Sequence, residues 1–346
     1  MNDEPKRVLI IKPSALGDVV LALPALSRLR QRYPEAEIDW LVRPEFAPLL
    51  QRHPYIRRLI LFDRKQLGRM WPLGSWMKQF QSLVHELRSG SYDVVYDFQG
   101  LLRTAFFARL TRADRCIGME AAREGAAWFY THRVPQKGTS KHVVDYYLSM
   151  VDPQWNGKGE GEVNYVLPEQ GEARGIVEGR LREKGVKKNH YVVVVPGSAH
   201  VDKCWPLERF AELIQRIDEN CQLPVVLVGS QGELKISRQL EGLSQGRIIN
   251  WVGQTNLPEL RWILGLSGLV ISNDTGPGHL AVAQGVPLVM MFSWSNPARI
   301  YPYGRSECMV ARDPFTRPNG IRSRDPRHNI DQIQVDEVWE KVQQQL

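Results

Sequence analysis

From its first residues the chain alternates short β-branched or aliphatic runs with stretches of helical periodicity, and it does so twice. Val8 to Ile11, Ile38 to Val42, Leu59 to Phe62 and Val94 to Tyr96 read as strands. Helical patterns over Val19 to Arg32 and Trp76 to Arg88 lie between them, and another helix begins near Leu101. Strands that are nearly all apolar are covered on both faces, and strands joined through helices pair in parallel, so this half predicts a doubly wound α/β lobe. A stretch rich in Pro, Gly, Asn and Glu, Pro153 to Gly161, reads as a surface connection. The alternation then restarts with strands at Tyr191 to Val195, Val225 to Val228, Ile248 to Trp251, Leu269 to Ser272 and Leu288 to Phe292. Helical patterns at Leu207 to Glu219, Leu234 to Leu243, Leu257 to Leu264 and Pro277 to Gln284 separate them. A chain of 346 residues suits two such lobes, divided as 1–168 and 169–346. The last helix, Val335 to Gln345, is a candidate to pack back on the N-terminal lobe.

Composition narrows the function classes. With 43% hydrophobic and 24% charged residues the chain is an ordinary globular protein. Its longest apolar runs, such as Tyr191 to Val195, fall far short of the roughly 20 residues needed to span a bilayer. A charged N-terminus leads straight into the first strand, leaving no room for the apolar core of a secretion signal, so the expected location is the cytoplasm. Cys116, Cys204, Cys221 and Cys308 form no C-x-x-C pair, which fits a reducing compartment and argues against structural zinc. The net charge of +7 favours anions, whether phosphates, nucleic acid or an acidic membrane surface. No basic run interleaved with aromatics and no helix-turn-helix, zinc-finger or RNA-binding signature is present, which argues against nucleic acid.

Ligands of open α/β sheets bind beyond the carboxyl ends of the strands, and three strand-to-helix junctions carry suitable residues there. Lys12-Pro13-Ser14-Ala15-Leu16-Gly17-Asp18 is the first. Asp18 fits a helix cap, or a general base for a substrate hydroxyl. The second, Pro196-Gly197-Ser198-Ala199-His200-Val201-Asp202-Lys203-Cys204-Trp205-Pro206, offers amides near Gly197 and Ser198 and the Lys203 charge to a phosphate, or presents a surface lysine. The third is Ser272-Asn273-Asp274-Thr275-Gly276-Pro277-Gly278-His279, where Thr275 and Gly276 at a helix start suit a diphosphate and Asp274 suits sugar hydroxyls. His279 also fits a buried structural role. None of the three is a Walker A loop or a G-x-G-x-x-G fingerprint, so ATP hydrolysis and NAD chemistry lack their usual support.

Taken together, Ser14-Ala15-Leu16-Gly17-Asp18-Val19, Asp97-Phe98-Gln99-Gly100, Lys203-Cys204-Trp205-Pro206 and Asp274-Thr275-Gly276-Pro277-Gly278-His279-Leu280-Ala281 resemble the ADP-heptose:lipopolysaccharide heptosyltransferases. Asp39-Trp40-Leu41-Val42, Ala122-Arg123-Glu124, His142 and the Lys-x-Trp-Pro pattern bring the likeness nearest to heptosyltransferase I. The resemblance implies a GT-B fold of two doubly wound Rossmann-like lobes with a cleft between them, the acceptor on the N-terminal lobe and the nucleotide sugar on the C-terminal one. It implies Asp18 as catalytic base and Lys203 as the group that stabilises the departing diphosphate. Donor contacts would come from Ser198, Lys203, Glu233, Asp274, Thr275, Gly276 and His279. Ser14, Gly17, Arg64, Lys65, Gln99, Gly100, Arg123 and His142 would face the acceptor, with Arg69, Trp71 and Lys78 in the same basic stretch. Further implications are ADP-heptose as donor substrate, no cofactor, no metal, and an anionic Kdo-lipid A acceptor met at the cytoplasmic face of the membrane. No nucleic acid and no obligate protein partner are expected. Two features depart from heptosyltransferase I. The segment Arg312 to His328 is longer and more basic, and Asn329-Ile330-Asp331-Gln332-Ile333 with Val335-Asp336-Glu337-Val338 resembles other members, including the heptosyltransferase II group. A different nucleotide sugar, the second-heptose acceptor, or a non-catalytic nucleotide-sugar binder are the alternatives that follow.

Overall fold

The computed structural model describes residues 4–63, 73–156, 163–318 and 320–346. The chain divides into two compact units, Met1–Glu169 and Gln170–Leu346. In the first, strands β1 (Arg7–Ile11), β2 (Glu37–Val42), β3 (Arg58–Leu61), β4 (Val94–Asp97), β5 (Arg115–Met119) and β6 (His132–Val134) form one sheet in the order β3-β2-β1-β4-β5-β6. Every pairing is parallel. The second unit holds β7 (Val192–Val195), β8 (Val225–Leu227), β9 (Ile248–Asn250), β10 (Leu269–Asn273), β11 (Leu288–Met291) and β12 (Met309–Val310), also all parallel, ordered β9-β8-β7-β10-β11-β12. The two sheets therefore share one topology, the Rossmann-like order of the GT-B class.

That order decides where chemistry can sit. The direction in which successive strands are added to the sheet reverses between β1 and β4 in one unit and between β7 and β10 in the other, and the loops leaving those parallel strands diverge to open a crevice at each switch point. The four loops concerned begin at Lys12, Phe98, Pro196 and Asp274. Three of them are the junctions singled out by sequence, and the fourth carries the Asp97-Phe98-Gln99-Gly100 motif.

Each unit buries its own core. Leu9, Ile11, Leu41, Ile60 and Val95 meet Leu83, Leu87 and Phe107 in the first. In the second, Val192, Val194, Ile271 and Val289 meet Phe210, Leu213 and Ile217 of the helix Leu207–Cys221. The helix expected over Val19 to Arg32 is two helices, Leu16–Leu21 and Leu23–Arg32, joined at Ala22. Pro24 accounts for the break, because it has no N–H to continue the ladder. The final helix, expected as a candidate to lie on the N-terminal lobe, seats Val335, Val338 and Val342 in the second unit's core. No helix among the described residues is long and apolar enough to cross a membrane.

Asp39, one of the residues behind the family likeness, is fully buried at the lower end of β2. Its carboxylate accepts from Arg57 Nε at 2.8 Å and Nη2 at 2.6 Å, from Arg58 Nε at 2.8 Å and from the Tyr92 hydroxyl at 2.5 Å. Burial would raise its pKa, but the Arg57, Tyr92 and Arg58 hydrogen bonds outweigh burial and lower it. The group locks β2 to β3 and to the start of β4. Asp39→Ala should cost about 1.5–3 kcal/mol in chemical denaturation, the loss of charge-assisted hydrogen bonds to two guanidiniums that water can still reach. A depressed native pKa contributes stability at neutral pH that is lost only as pH falls below the unfolded value of about 3.9. Acid titration of stability below that value should therefore be steeper for the wild type than for Asp39→Ala.

Candidate functional site

At the β1 end, Asp18 lies in the first turn of the helix Leu16–Leu21, and its carboxylate accepts the Ala15 N–H at 3.1 Å. Its other neighbour is Lys12 Nζ, 3.7 Å away. Lys12 is buried to 3% exposure and also donates to the Phe98 carbonyl at 3.3 Å, so one ammonium ties the β1 loop to the β4 loop. Burial disfavours that charge, but Asp18, Tyr147 and Asp97 outweigh burial and raise the Lys12 pKa. The side chain of Asp18 remains 43% exposed, so it is both held and accessible.

Asp97 builds the neighbouring loop from within. Fully buried, it accepts the Gln99 N–H at 2.9 Å, the Gly100 N–H at 3.2 Å and the Tyr130 hydroxyl at 2.7 Å. Burial pushes its pKa up against those bonds. Gly100 takes φ +66°, which a residue with a Cβ adopts only under strain, and its carbonyl accepts the Arg123 N–H at 3.0 Å. Gln99 Oε1 is buried without a hydrogen-bond partner among the described residues. Ser14 is partly buried and Gly17 buried beside Asp18. The Arg123 side chain is exposed. His142, expected to face the acceptor, is fully buried, and its Nδ1 accepts the Val144 N–H at 3.1 Å as cap of the helix Val143–Val151. Lys78 is exposed on the helix Leu73–Ser89, while Arg64, Lys65, Arg69 and Trp71 lie outside the described residues.

In the second unit the sequence-predicted residues converge more closely. Lys203 Nζ donates to Asp274 Oδ2 at 2.5 Å, and His279 Nε2 lies 3.4 Å from Asp274 Oδ1. Asp274 is 4% exposed at its side chain and Lys203 13%. Burial alone would raise the Asp274 pKa, but His279 and Lys203 hold the carboxyl well below the usual carboxylate range. His279 Nδ1 is buried with no hydrogen-bond partner among the described residues.

The reason Lys203 reaches Asp274 lies two residues on. Trp205 is buried, stacks edge-on against Phe210 and donates its indole N–H to the Ile333 carbonyl at 2.9 Å. Its backbone N–H is accepted by Asn273 Oδ1 at 3.1 Å, and Asn273 Nδ2 returns to the Pro196 carbonyl at 3.0 Å. Asn273 thus clamps the β7 loop to the β10 loop. At the head of helix Gly276–Ala283, the Thr275 hydroxyl turns back to Asn273 O and Ser272 Oγ and makes no cap. Among the described residues no side chain accepts from the Gly276 or Gly278 amide, and such a helix start suits an anion.

Glu233, in the short 3-10 turn Gln231–Glu233 that follows β8, accepts the Ser230 N–H at 2.5 Å and the Ser230 hydroxyl at 2.7 Å. It lies so near the β7 loop that a Cβ on Gly197 would come within 1.9 Å of its Oε1. Ser198 is partly buried, and its hydroxyl meets the His200 N–H at 3.4 Å. Sequence did not single out Lys12, Asn273 as a clamp, Ser295, whose hydroxyl donates to Asp274 Oδ2 at 2.6 Å, or Trp294, whose ring lies 4.7 Å from Lys203 Nζ. Among the described residues no group of three or more His, Cys, Asp or Glu is arranged to hold a metal ion.

Known proteins resemble this chain over most of its length. The family model of glycosyltransferase family 9 (heptosyltransferase) matches residues 80–319. A lipopolysaccharide core heptosyltransferase of Haemophilus influenzae is 27% identical over 317 residues, 90% of this chain and 85% of that one. Lipopolysaccharide heptosyltransferase 1 of Pseudomonas aeruginosa is 29% identical over 314 residues, 89% of this chain and 84% of its own. Among solved structures, a glycosyl transferase family 9 protein of Veillonella parvula superposes with TM-score 0.81 at 22% identity, covering 100% of this chain and 98% of that one. An E. coli heptosyltransferase solved with ADP gives 0.76 at 24%, covering 98% and 100%. At those identities the structures speak to the fold. The sequence match over most of the chain speaks to kinship, and the chain is an enzyme that belongs to glycosyltransferase family 9, the heptosyltransferases.

Proposed function

We propose that this heptosyltransferase moves L-glycero-D-manno-heptose from ADP-heptose to the Kdo-bearing inner core of lipid A, with inversion at the anomeric carbon. The observation that carries the donor side is the Lys203 and Asp274 pair, 2.5 Å apart beside an uncapped helix start. A lysine and two amides suit a diphosphate, and a carboxylate retains lone pairs for sugar hydroxyls after its bonds to Lys203 and Ser295. The relatives' names, lipopolysaccharide heptosyltransferases, support the sugar and the pathway.

In this reading residues 1–168 take the acceptor and 169–346 the donor. An acceptor hydroxyl oxygen attacks the anomeric carbon as the carbon–oxygen bond to the β-phosphate breaks. Asp18 takes the hydroxyl proton, and ADP leaves with the bonding pair. Lys203, Thr275, Gly276 and the helix start stabilise the charge that grows on the diphosphate, a fixed electrostatic contribution that needs no metal. Glu233 and Ser198 contact the nucleotide, and His279 orients Asp274. Ser14, Gly17, Gln99, Gly100, Arg64, Lys65 and Arg123 form the acceptor side, and His142 serves it only as the buried cap of the helix Val143–Val151. The protein works at the cytoplasmic face of the membrane without a required protein partner.

The test is ADP release from ADP-heptose with a panel of acceptors, in buffer with and without EDTA. Release should require a Kdo-bearing, heptose-free acceptor and should be unchanged by the chelator. Turnover only on an acceptor that already carries heptose assigns a later transfer, and turnover with another nucleotide sugar alone overturns the donor.

A further inference from the structure

The Arg- and Pro-rich stretch that departs from heptosyltransferase I folds around a cavity of about 570 Å³ within the second unit. That volume lies in the range of small-molecule sites, roughly 300–1,000 Å³. Its wall charges do not cancel. Arg317, Arg322, Arg324 and Arg327 face only Asp313 and Asp325. Both carboxylates are engaged, Asp325 by Arg327 at 2.6 Å and Asp313 by His328 at 3.2 Å. Among the described residues no carboxylate lies at ion-pair distance from Arg317, Arg322 or Arg324.

Arg317 makes the imbalance costly. It is 3% exposed, and its guanidinium donates to the Ser293, Ser295 and Arg312 carbonyls at 2.6 to 3.0 Å. Carbonyl dipoles orient a cation but do not neutralise it. Burial drags its pKa down to about 10 against the pull of Asp313 and Asp325, neither at ion-pair distance from it and both engaged by other groups. An oxyanion in the cavity would complete that partial compensation. Guanidinium forks suit phosphate, and two exposed arginines beside the buried one match the double charge of a phosphomonoester.

The geometry points to this cavity as a binding site for a sugar phosphate, held by Arg317, Arg322 and Arg324. The site is wired to the Asp274 cluster. Arg322 lies 3.8 Å over the Trp294 ring that also receives Lys203, and Ser295, which holds Asp274, is bridged to Arg322 in antiparallel fashion. The anion site stands on its own residues, whereas naming the phosphate-bearing sugar as part of the acceptor rests on the transferase reading.

Calorimetry on the full chain, first saturated with ADP, separates this site from the donor diphosphate. Glucose 6-phosphate should bind the ADP-saturated protein with one equivalent, inorganic phosphate should bind more weakly, and glucose should not bind. Arg324→Glu should weaken glucose 6-phosphate by about tenfold or more, the loss of a charge-assisted contact, and leave ADP affinity unchanged. Arg322→Ala should weaken it in the same direction. Displacement by ADP, no binding of either phosphate, binding of inorganic phosphate without glucose 6-phosphate, or wild-type affinity in both variants each overturns the proposal. Because no turnover is measured, a protein that binds the probe but transfers no heptose refutes the proposed function and leaves this site intact.

Discussion

Asp18→Asn is expected to lower kcat by about 10³-fold or more, within the range attributed to a positioned general base, while ADP affinity stays within about twofold. The asparagine is chosen because Asp18 has a second role. Its carboxylate accepts the Ala15 N–H at 3.1 Å, so alanine would remove a helix-capping acceptor together with the base. An amide oxygen can accept the same bond but cannot take a proton from a hydroxyl. Asp18→Ala should therefore match Asp18→Asn in activity and fall below it in stability by about 1 kcal/mol, the usual worth of a cap. Lys12 sharpens the test. Its ammonium sits 3.7 Å from Asp18 and 3.3 Å from the Phe98 carbonyl, so the local charge balance persists in neither variant, and thermal unfolding must be recorded beside the rate. If Asp18→Asn turns over at the wild-type rate, Asp18 is only a cap and the base lies elsewhere.

How much of this site was legible beforehand follows from which forces leave a local trace. The two parallel sheets were legible because β-branched runs and helical periods record burial residue by residue. Short or half-exposed strands were not. Arg115–Met119 and His132–Val134 carry arginine, histidine and glycine and extend the first sheet only because β4 offers an unpaired side. The junction residues Lys203, Asp274 and His279 were found by position, just past strands, and they meet in space. Asn273 and Ser295 were invisible as partners because their bonds reach to Trp205 and Asp274, 68 and 21 positions away in the chain. His142 shows the opposite limit. A histidine before an apolar helix fits both a ligand contact and a cap, and only its complete burial and the bond to the Val144 N–H reveal the cap. Arg317 left no trace at all, since an arginine among arginines gives no sign that one is buried and the others exposed.

Lys203→Met is expected to reduce kcat by about 10²- to 10³-fold, the usual effect of removing one preorganised group from a developing oxyanion. That number alone cannot separate lost catalysis from a damaged site. Lys203 and Asp274 are both largely buried, and Lys203 removal leaves a carboxylate held by Ser295 and His279 alone. Breaking one side of such a pair costs about 3–5 kcal/mol, so the single variant should also unfold at lower denaturant. Neutralising the partner resolves the ambiguity. In Lys203→Met/Asp274→Asn no charge is stranded, and most of the lost stability should return, which a double-mutant cycle in urea reads directly. Activity should not return with it, because the cation proposed to face the diphosphate is still missing and Asp274 no longer offers a carboxylate for the proposed contact with the sugar. Recovery of both stability and turnover in the double variant would show that the pair only holds the β7 and β10 loops together. Recovery of stability alone assigns Lys203 to the chemistry and leaves Trp205 and Asn273 as the groups that shape the loops.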